Sequence, residues 1–143
     1  MFTGPHRVAL TSTVLVPFAA ASVADARHAM AADLEGQGVP PAAVDDAVLV
    51  LSELLSNALR HARPLPSGRV RVRWCQTRNG VEVEVTDGGS TTRPCAAIAS
   101  MSATGGRGLA IVAEVVHDWG VRDGANRNTV WAVVPTREPA LLG

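Results

Sequence analysis

Apolar and polar positions recur along this chain with two periods, and each change of period marks an element. Residues 6–16 are rich in β-branched Val and Thr and predict a first strand. Residues 18–35 are rich in Ala and predict a helix, stopped at Gly36-Gln37-Gly38, where glycine accepts left-handed backbone angles. Pro40-Pro41 opens a second helix, since proline is tolerated in a first turn, and Asp45 and Asp46 lie near its positive end. Val44, Ala47, Val48, Leu51, Leu54, Leu55 and Ala58 recur at helical spacing and mark its buried face. This helix is expected to run to about Ala62 and to end before Pro64.

The period then becomes two. Val70, Val72 and Trp74 alternate with Arg71, Arg73 and Cys75, and Val81, Val83 and Val85 alternate with Glu82, Glu84 and Thr86. These runs predict a hairpin turned by Asn79-Gly80, with one apolar face and one face pairing arginines with glutamates. A one-residue slip would bury the charges, so the pattern also fixes the register. Residues 90–104 are small, polar and aperiodic and predict a loop. Residues 107–116 predict a third helix that buries Leu109, Ile111, Val112, Val115 and Val116. Strands are expected over 117–122 and 128–134, joined by Asp123-Gly124-Ala125-Asn126, with a frayed tail over 135–143.

The sum is one α+β domain spanning 1–143: a two-layer sandwich with a mixed or antiparallel sheet of about five strands and about three helices on one face. No internal repeat or linker interrupts it. Aromatic residues are only 3% of the chain against 47% apolar, so the core must be built from Val, Leu, Ile and Ala.

Charge narrows the function. Formal net charge is zero, which argues against binding nucleic acid through bulk electrostatics. All 13 basic residues are Arg, which excludes a P-loop and Schiff-base chemistry, because both need a lysine. Cys75 and Cys95 form no Cys-x-x-Cys motif and read as ordinary thiols. The apolar stretch after His6 and Arg7 is broken by Thr11, Ser12, Thr13 and Pro17, so it reads as a strand rather than a signal peptide. No segment has the length of a membrane span, and a soluble cytoplasmic protein is expected.

Three segments carry candidate chemistry. In the first, Glu53, Asn57 and His61 stand at i, i+4 and i+8, a single row with about 6 Å per step along the helix axis. A carboxylate there can act on a hydroxyl, and an amide oxygen is a hard ligand that suits magnesium. The plain alternative is a polar helix edge. The second segment, Thr86-Asp87-Gly88-Gly89, follows a hydrophobic strand. Its glycines admit a flat ligand, and its carboxylate can accept from an exocyclic amine such as that of adenine. Asp-Gly is also common in simple turns. The third, Thr104-Gly105-Gly106-Arg107-Gly108-Leu109, precedes an apolar helix whose N-terminal amides could bind phosphate, or it is merely a loop and a helix start.

Glu-x-x-x-Asn, Asp-x-Gly and Gly-x-Gly-Leu in this order, each on its expected element, resemble the GHKL (Bergerat-type) ATPase superfamily, and within it the anti-sigma-factor serine/threonine kinases. The resemblance covers roughly residues 6–134. It implies that Asn57 coordinates magnesium on the phosphates of ATP and that Glu53 is the general base. It implies that Asp87 binds the adenine amino group, that Gly89 keeps the base pocket open, and that Thr129 stands near the adenine. Gly106, Arg107, Gly108 and Leu109 would line the phosphates, with residues 90–104 as the ATP lid. Two departures stand out. Thr91 occupies the second glycine position of Asp-x-Gly-x-Gly, and the usual basic lid residue before the glycine box is missing, Arg93 being the lone arginine of the loop.

The implied activity is transfer of the ATP γ-phosphate to a Ser or Thr of an anti-sigma antagonist protein, with sequestration of a sigma factor in one nucleotide state. The implied assembly is a homodimer built with the first strand and first helix. The alternative is a non-catalytic ATP-binding partner-switch module.

Overall fold

The computed structural model describes residues 11–89 and 115–136. Its elements run β1 (Thr11–Pro17), α1 (Ser22–Gly36), α2 (Pro41–His61), β2 (Arg69–Thr77), β3 (Gly80–Asp87), β4 (Asp118–Gly124) and β5 (Arg127–Val134). The five strands form one sheet in the order β1-β2-β3-β5-β4, antiparallel at every junction. The expected α+β sandwich is therefore found. The expected third helix, 107–116, lies outside the described residues apart from Val115 and Val116, and residues 6–10 and the loop 90–104 lie outside them too.

Strand alternation sends every second side chain to the helix-covered face. Val70, Val72 and Trp74 on β2, Val81, Val83 and Val85 on β3, and Ala132 and Val134 on β5 are buried there. Helix α2 packs over β3 and β5 and against α1, and buries Val44, Ala47, Val50, Leu51, Leu54, Leu55 and Ala58 in the common core. Helix α1 contributes a narrower stripe, Ala26, Met30 and Leu34 at i, i+4 and i+8. Both helices stop where the sequence indicates. Val39 N–H donates to Leu34 O at 3.0 Å and Gly38 N–H to Glu35 O at 3.0 Å, closing the end of α1. At the end of α2, Ala62 turns extended ahead of Arg63-Pro64.

Three boundaries differ from the sequence reading. Helix α1 begins at Ser22 rather than residue 18, because the chain turns directly after Pro17: Ala19 N–H donates to Pro17 O at 2.8 Å, and Ser22 Oγ to the same carbonyl at 2.7 Å. The β2–β3 turn is Arg78-Asn79, and Gly80 already pairs with Thr77 in the ladder. Gly80 is required there by close approach, since a Cβ would overlap the Val134 carbonyl at the end of β5. The final hairpin is tighter than predicted, turning on Ala125-Asn126 with Asn126 at φ 65°, a left-handed angle that asparagine tolerates.

On the other face of the sheet, Arg73 and Glu84 stand directly opposite each other and pair at 3.1 Å, as the alternation of charge predicts. The structure adds Arg122 from β4, 2.9 Å from the second Glu84 oxygen, so this glutamate is buried between two guanidinium groups rather than solvated.

Asp33 fastens α1 to the sheet. Its Oδ2 accepts from Ser12 Oγ at 2.7 Å, from Trp74 Nε1 at 2.7 Å and from Gln37 Nε2 at 3.1 Å. The Ser12 bond, with those of Trp74 and Gln37, holds the Asp33 carboxyl below its ordinary value against the opposing effect of burial. Replacing Asp33 by Ala orphans the indole N–H of the buried Trp74, and the expected loss is about 1–3 kcal/mol of unfolding free energy. Because the folded-state pKa is depressed, the wild-type advantage over Asp33→Ala is fully present above the unfolded value of 3.8 and shrinks as pH falls through the folded value. Urea melts of both proteins from neutral to acid pH measure both effects.

Candidate functional site

The helical row Glu53–Asn57–His61 forms as the spacing predicts, along the second half of α2. Glu53 is half-buried, Asn57 is buried at 8% exposure, and His61 is exposed at the last turn. The Asn57 amide oxygen accepts a long bond from Arg60 Nη2 at 3.4 Å, which leaves that oxygen lone-pair capacity for a cation.

Asp87 closes β3 and is 5% exposed. Its Oδ1 accepts from Gly89 N–H at 2.8 Å, an Asx-type turn that fixes the carboxylate plane. Among the described residues Oδ2 has no hydrogen-bond partner. Burial raises the Asp87 pKa, and the Gly89 N–H partly offsets it. A largely buried carboxylate, with one oxygen free of partners among the described residues, suits a ligand that donates.

The connection after α2 ties the end of that helix to the turn after β3. Gly88 N–H donates to Arg63 O at 2.8 Å, and Arg63 N–H donates to Gly89 O at 2.8 Å. The chain leaving the helix thus pairs, backbone to backbone, with the chain leaving β3. Gly88 lies so close to this connection that a Cβ would fall 2.8 Å from the Pro64 carbonyl carbon and closer still to its oxygen. Gly89 takes φ +100°, a conformation that side chains rarely adopt.

Thr129 is placed differently. It is buried and shares a 2.8 Å hydrogen bond with the Thr86 hydroxyl. Thr86 is its register partner, while Asp87 is paired with Asn128. Successive strand residues face opposite ways, so the threonine pair and the Asp87 carboxylate lie on opposite faces of the β3–β5 ladder. The residue beside Asp87 is the buried Asn128, whose amide, oriented to donate, reaches Asp123 Oδ1 at 2.8 Å and Arg127 O at 3.1 Å. Asn128 escaped the sequence reading, and so did the close approach that requires Gly88. The β3–β5 register has no local signature, and a glycine needed for close approach looks like any turn glycine. Gly106, Arg107, Gly108 and Leu109, with Thr91 and Arg93 of the expected lid, lie outside the described residues.

The donor set bears on magnesium. Among the described residues no group of three or more His, Cys, Asp or Glu side chains could hold a metal ion by itself. A cation at Asn57 would therefore take its other ligands from solvent and from a ligand rich in oxygen. That fits magnesium, which is usually held by few protein groups together with substrate phosphates. A separate open groove between the start of α1 and α2, lined by Phe18, Val23, Ser56, Leu59 and Arg60 among others, contains neither Glu53, Asn57 nor Asp87. No helix among the described residues is long and apolar enough to cross a membrane.

Comparison with known proteins bears on the fold and the family. A crystal structure of the RsbU and RsbW domains of Rv1364c from Mycobacterium tuberculosis shares the fold, with a TM-score of 0.67 at 19% identity. The match covers 91% of this chain and 33% of that one, so the present chain spans about a third of its length. Comparison with curated proteins gives no match. The profile of the family described as histidine kinase-like ATPase domain matches residues 16–134, from the end of β1 to the end of β5. With the family match covering most of its length, the chain belongs to the histidine kinase-like ATPase domain family.

Proposed function

We propose that this chain binds ATP with magnesium and is a regulatory serine/threonine protein kinase of the anti-sigma-factor type. Its substrate would be a Ser or Thr of a small antagonist protein, and its second partner a sigma factor. The observation that supports the nucleotide reading is the backbone pairing of Arg63 with Gly88 and Gly89, which ties the end of the Asn57 helix to the turn that follows Asp87. The fold shared with a chain that contains an RsbW domain supports the choice of partner class.

In this reading the Asp87 carboxylate accepts from the adenine amino group. The Gly89 amide holds it in place, and the bare backbone at Gly89 leaves room for the base. The Asn57 amide oxygen is the protein's ligand to magnesium, which supplies charge neutralisation on the phosphates when bound. Glu53, one turn before Asn57 and half-buried, takes the proton of the acceptor hydroxyl as its oxygen attacks the γ-phosphorus and the bond to the β-phosphate oxygen breaks. Phosphoryl transfer depends mainly on positioning and electrostatics, which a rigid α2 provides. A non-catalytic switch, in which ATP only orders the lid to present a partner surface, is the second reading. It is favoured by the missing basic residue before the glycine box.

Calorimetric titration with Mg·ATP tests the site. Wild-type protein should bind, and Asn57→Ala should weaken binding by about tenfold or more, a loss of about 1.4 kcal/mol. Absence of binding by folded wild type would sink the reading. Glu53→Ala should retain most of the affinity while phosphate transfer from labelled ATP to candidate antagonist proteins falls by about 10²–10⁴-fold. Transfer that is absent in the wild type, with ATP binding intact, would favour the switch.

Asp87→Asn separates stability from recognition. The new amide keeps its oxygen on Gly89 N–H and turns its NH₂ towards the base, where it opposes the adenine amino group but matches the 6-oxo group of inosine. The variant should therefore prefer ITP over ATP, the reverse of wild type. Folding raises the Asp87 pKa, so the wild type carries its burial penalty above that raised value and loses it as pH falls. Asp87→Asn should accordingly be the more stable protein at pH 7, with the gain fading as pH falls from the raised folded value towards the unfolded value of 3.8 and gone below it. Denaturant melts at several pH values and nucleotide titrations read the two effects separately.

A further inference from the structure

We infer that Gly88 is a positioning residue for base recognition, the point at which the loop after α2 sets the placement of Asp87. This rests on the nucleotide reading above and extends it to a residue outside the expected ligand set.

The backbone geometry makes the case. The loop Ala62–Leu65 must satisfy its peptide groups, and it does so partly on the turn after β3. Arg63 uses both of its backbone groups there, accepting from Gly88 N–H at 2.8 Å and donating to Gly89 O at 2.8 Å. Farther along, Leu65 N–H donates to Arg69 O at 2.8 Å, and the Leu65 side chain is buried, so the loop is fastened at its far end as well. Two hydrogen bonds across two residues fix both the separation and the tilt of the facing chains. The separation is too small for any side chain at position 88, because the Pro64 carbonyl occupies the space of its Cβ.

Asp87 immediately precedes this contact, and its Oδ1 is held by the amide of Gly89, immediately after it. The carboxylate is thus bracketed by backbone that the loop holds in place. A methyl group at position 88 would push the Asp87–Gly89 turn away from Pro64 and rotate the carboxylate. The obstacle is backbone, anchored between α2 and the buried Leu65, so it cannot swing aside as a flexible side chain would. Asn57 sits more than one turn before the helix end and does not touch the turn. The consequence should therefore fall on reading of the base and spare the phosphate side.

The test uses wild type and Gly88→Ala, each titrated with Mg·ATP, Mg·ITP and Mg·tripolyphosphate, with thermal melts alongside. The expected result is a loss of about tenfold or more in ATP affinity and an ATP-over-ITP preference close to unity. Tripolyphosphate affinity should change by less than about twofold, which general destabilisation of the site would not leave untouched. A folded Gly88→Ala protein with the wild-type ATP-over-ITP preference would overturn the proposal.

Amide hydrogen exchange on the wild type provides an arm that needs no variant. The Arg63 and Gly88 amides should exchange slowly and with the same opening free energy, because they belong to one two-bond contact, and ATP should slow both together. Exchange of either amide at open-chain rates would overturn the proposal even if Gly88→Ala fails to fold. Failure of wild type to bind ATP or tripolyphosphate would instead reject the nucleotide reading, and with it any role for Gly88 in base recognition.

Discussion

The arrangement of the candidate site depends on one short stretch of backbone pairing, in which Arg63 exchanges hydrogen bonds with Gly88 and Gly89. A loop that leaves a buried helix carries peptide groups that need partners, and here the nearest partners are those of a turn leaving the central strand. Each segment satisfies the other. The contact is possible only because position 88 has no side chain. Helix α2, which carries Glu53 and Asn57, and strand β3, which carries Asp87, are therefore joined at their C-terminal ends as well as through the core.

That core supplies the rigidity the site uses. Helix α2 buries an apolar stripe from Val44 to Ala58 over an antiparallel sheet whose buried inner face is largely valine, with Trp74 the largest of its fully buried side chains. Asn57 lies at the margin of this stripe, buried enough to be held in place and polar enough to keep an oxygen available. Asp87 shows the cost of such a margin. Its carboxylate is nearly inaccessible, its pKa is raised by burial, and only Gly89 among the described residues offsets that penalty with a hydrogen bond. A buried charge that is only partly satisfied lowers stability. Its presence at the end of a central strand is understandable if a ligand supplies the missing donor. Asp33 is the contrast. It is less buried, accepts three hydrogen bonds, and has a lowered pKa because it fastens α1 in place.

Much of this was legible in the chain. The β2–β3 alternation, with arginines on one strand and glutamates on the next, gave the inner and outer faces, because a strand has only two sides; the Arg73–Glu84 pair itself depends on a turn one residue earlier than predicted. The i, i+4, i+8 row of Glu53, Asn57 and His61 was equally secure, since helical spacing is a local property. Less was legible where contacts are made at a distance. Arg122 reaches Glu84 from a strand that is not its neighbour in the sheet, and Gly80 serves the end of β5 as well as the turn it follows. The pairing of Thr129 with Thr86 rather than with the Asp87 side of the strand follows from a register that no short motif encodes.

The sequence by itself determined the α+β class, the elements with their buried faces, and the three segments that resemble an ATP site. All of these follow from periodicity and from residue types read over short windows. Tertiary structure alone decided the strand order β1-β2-β3-β5-β4, the neighbour of Asp87 and the purpose of Gly88. These depend on which backbone segments meet across the fold. The separation between two such segments is set by hydrogen bonding and packing over the whole sheet, so neither segment can state it alone.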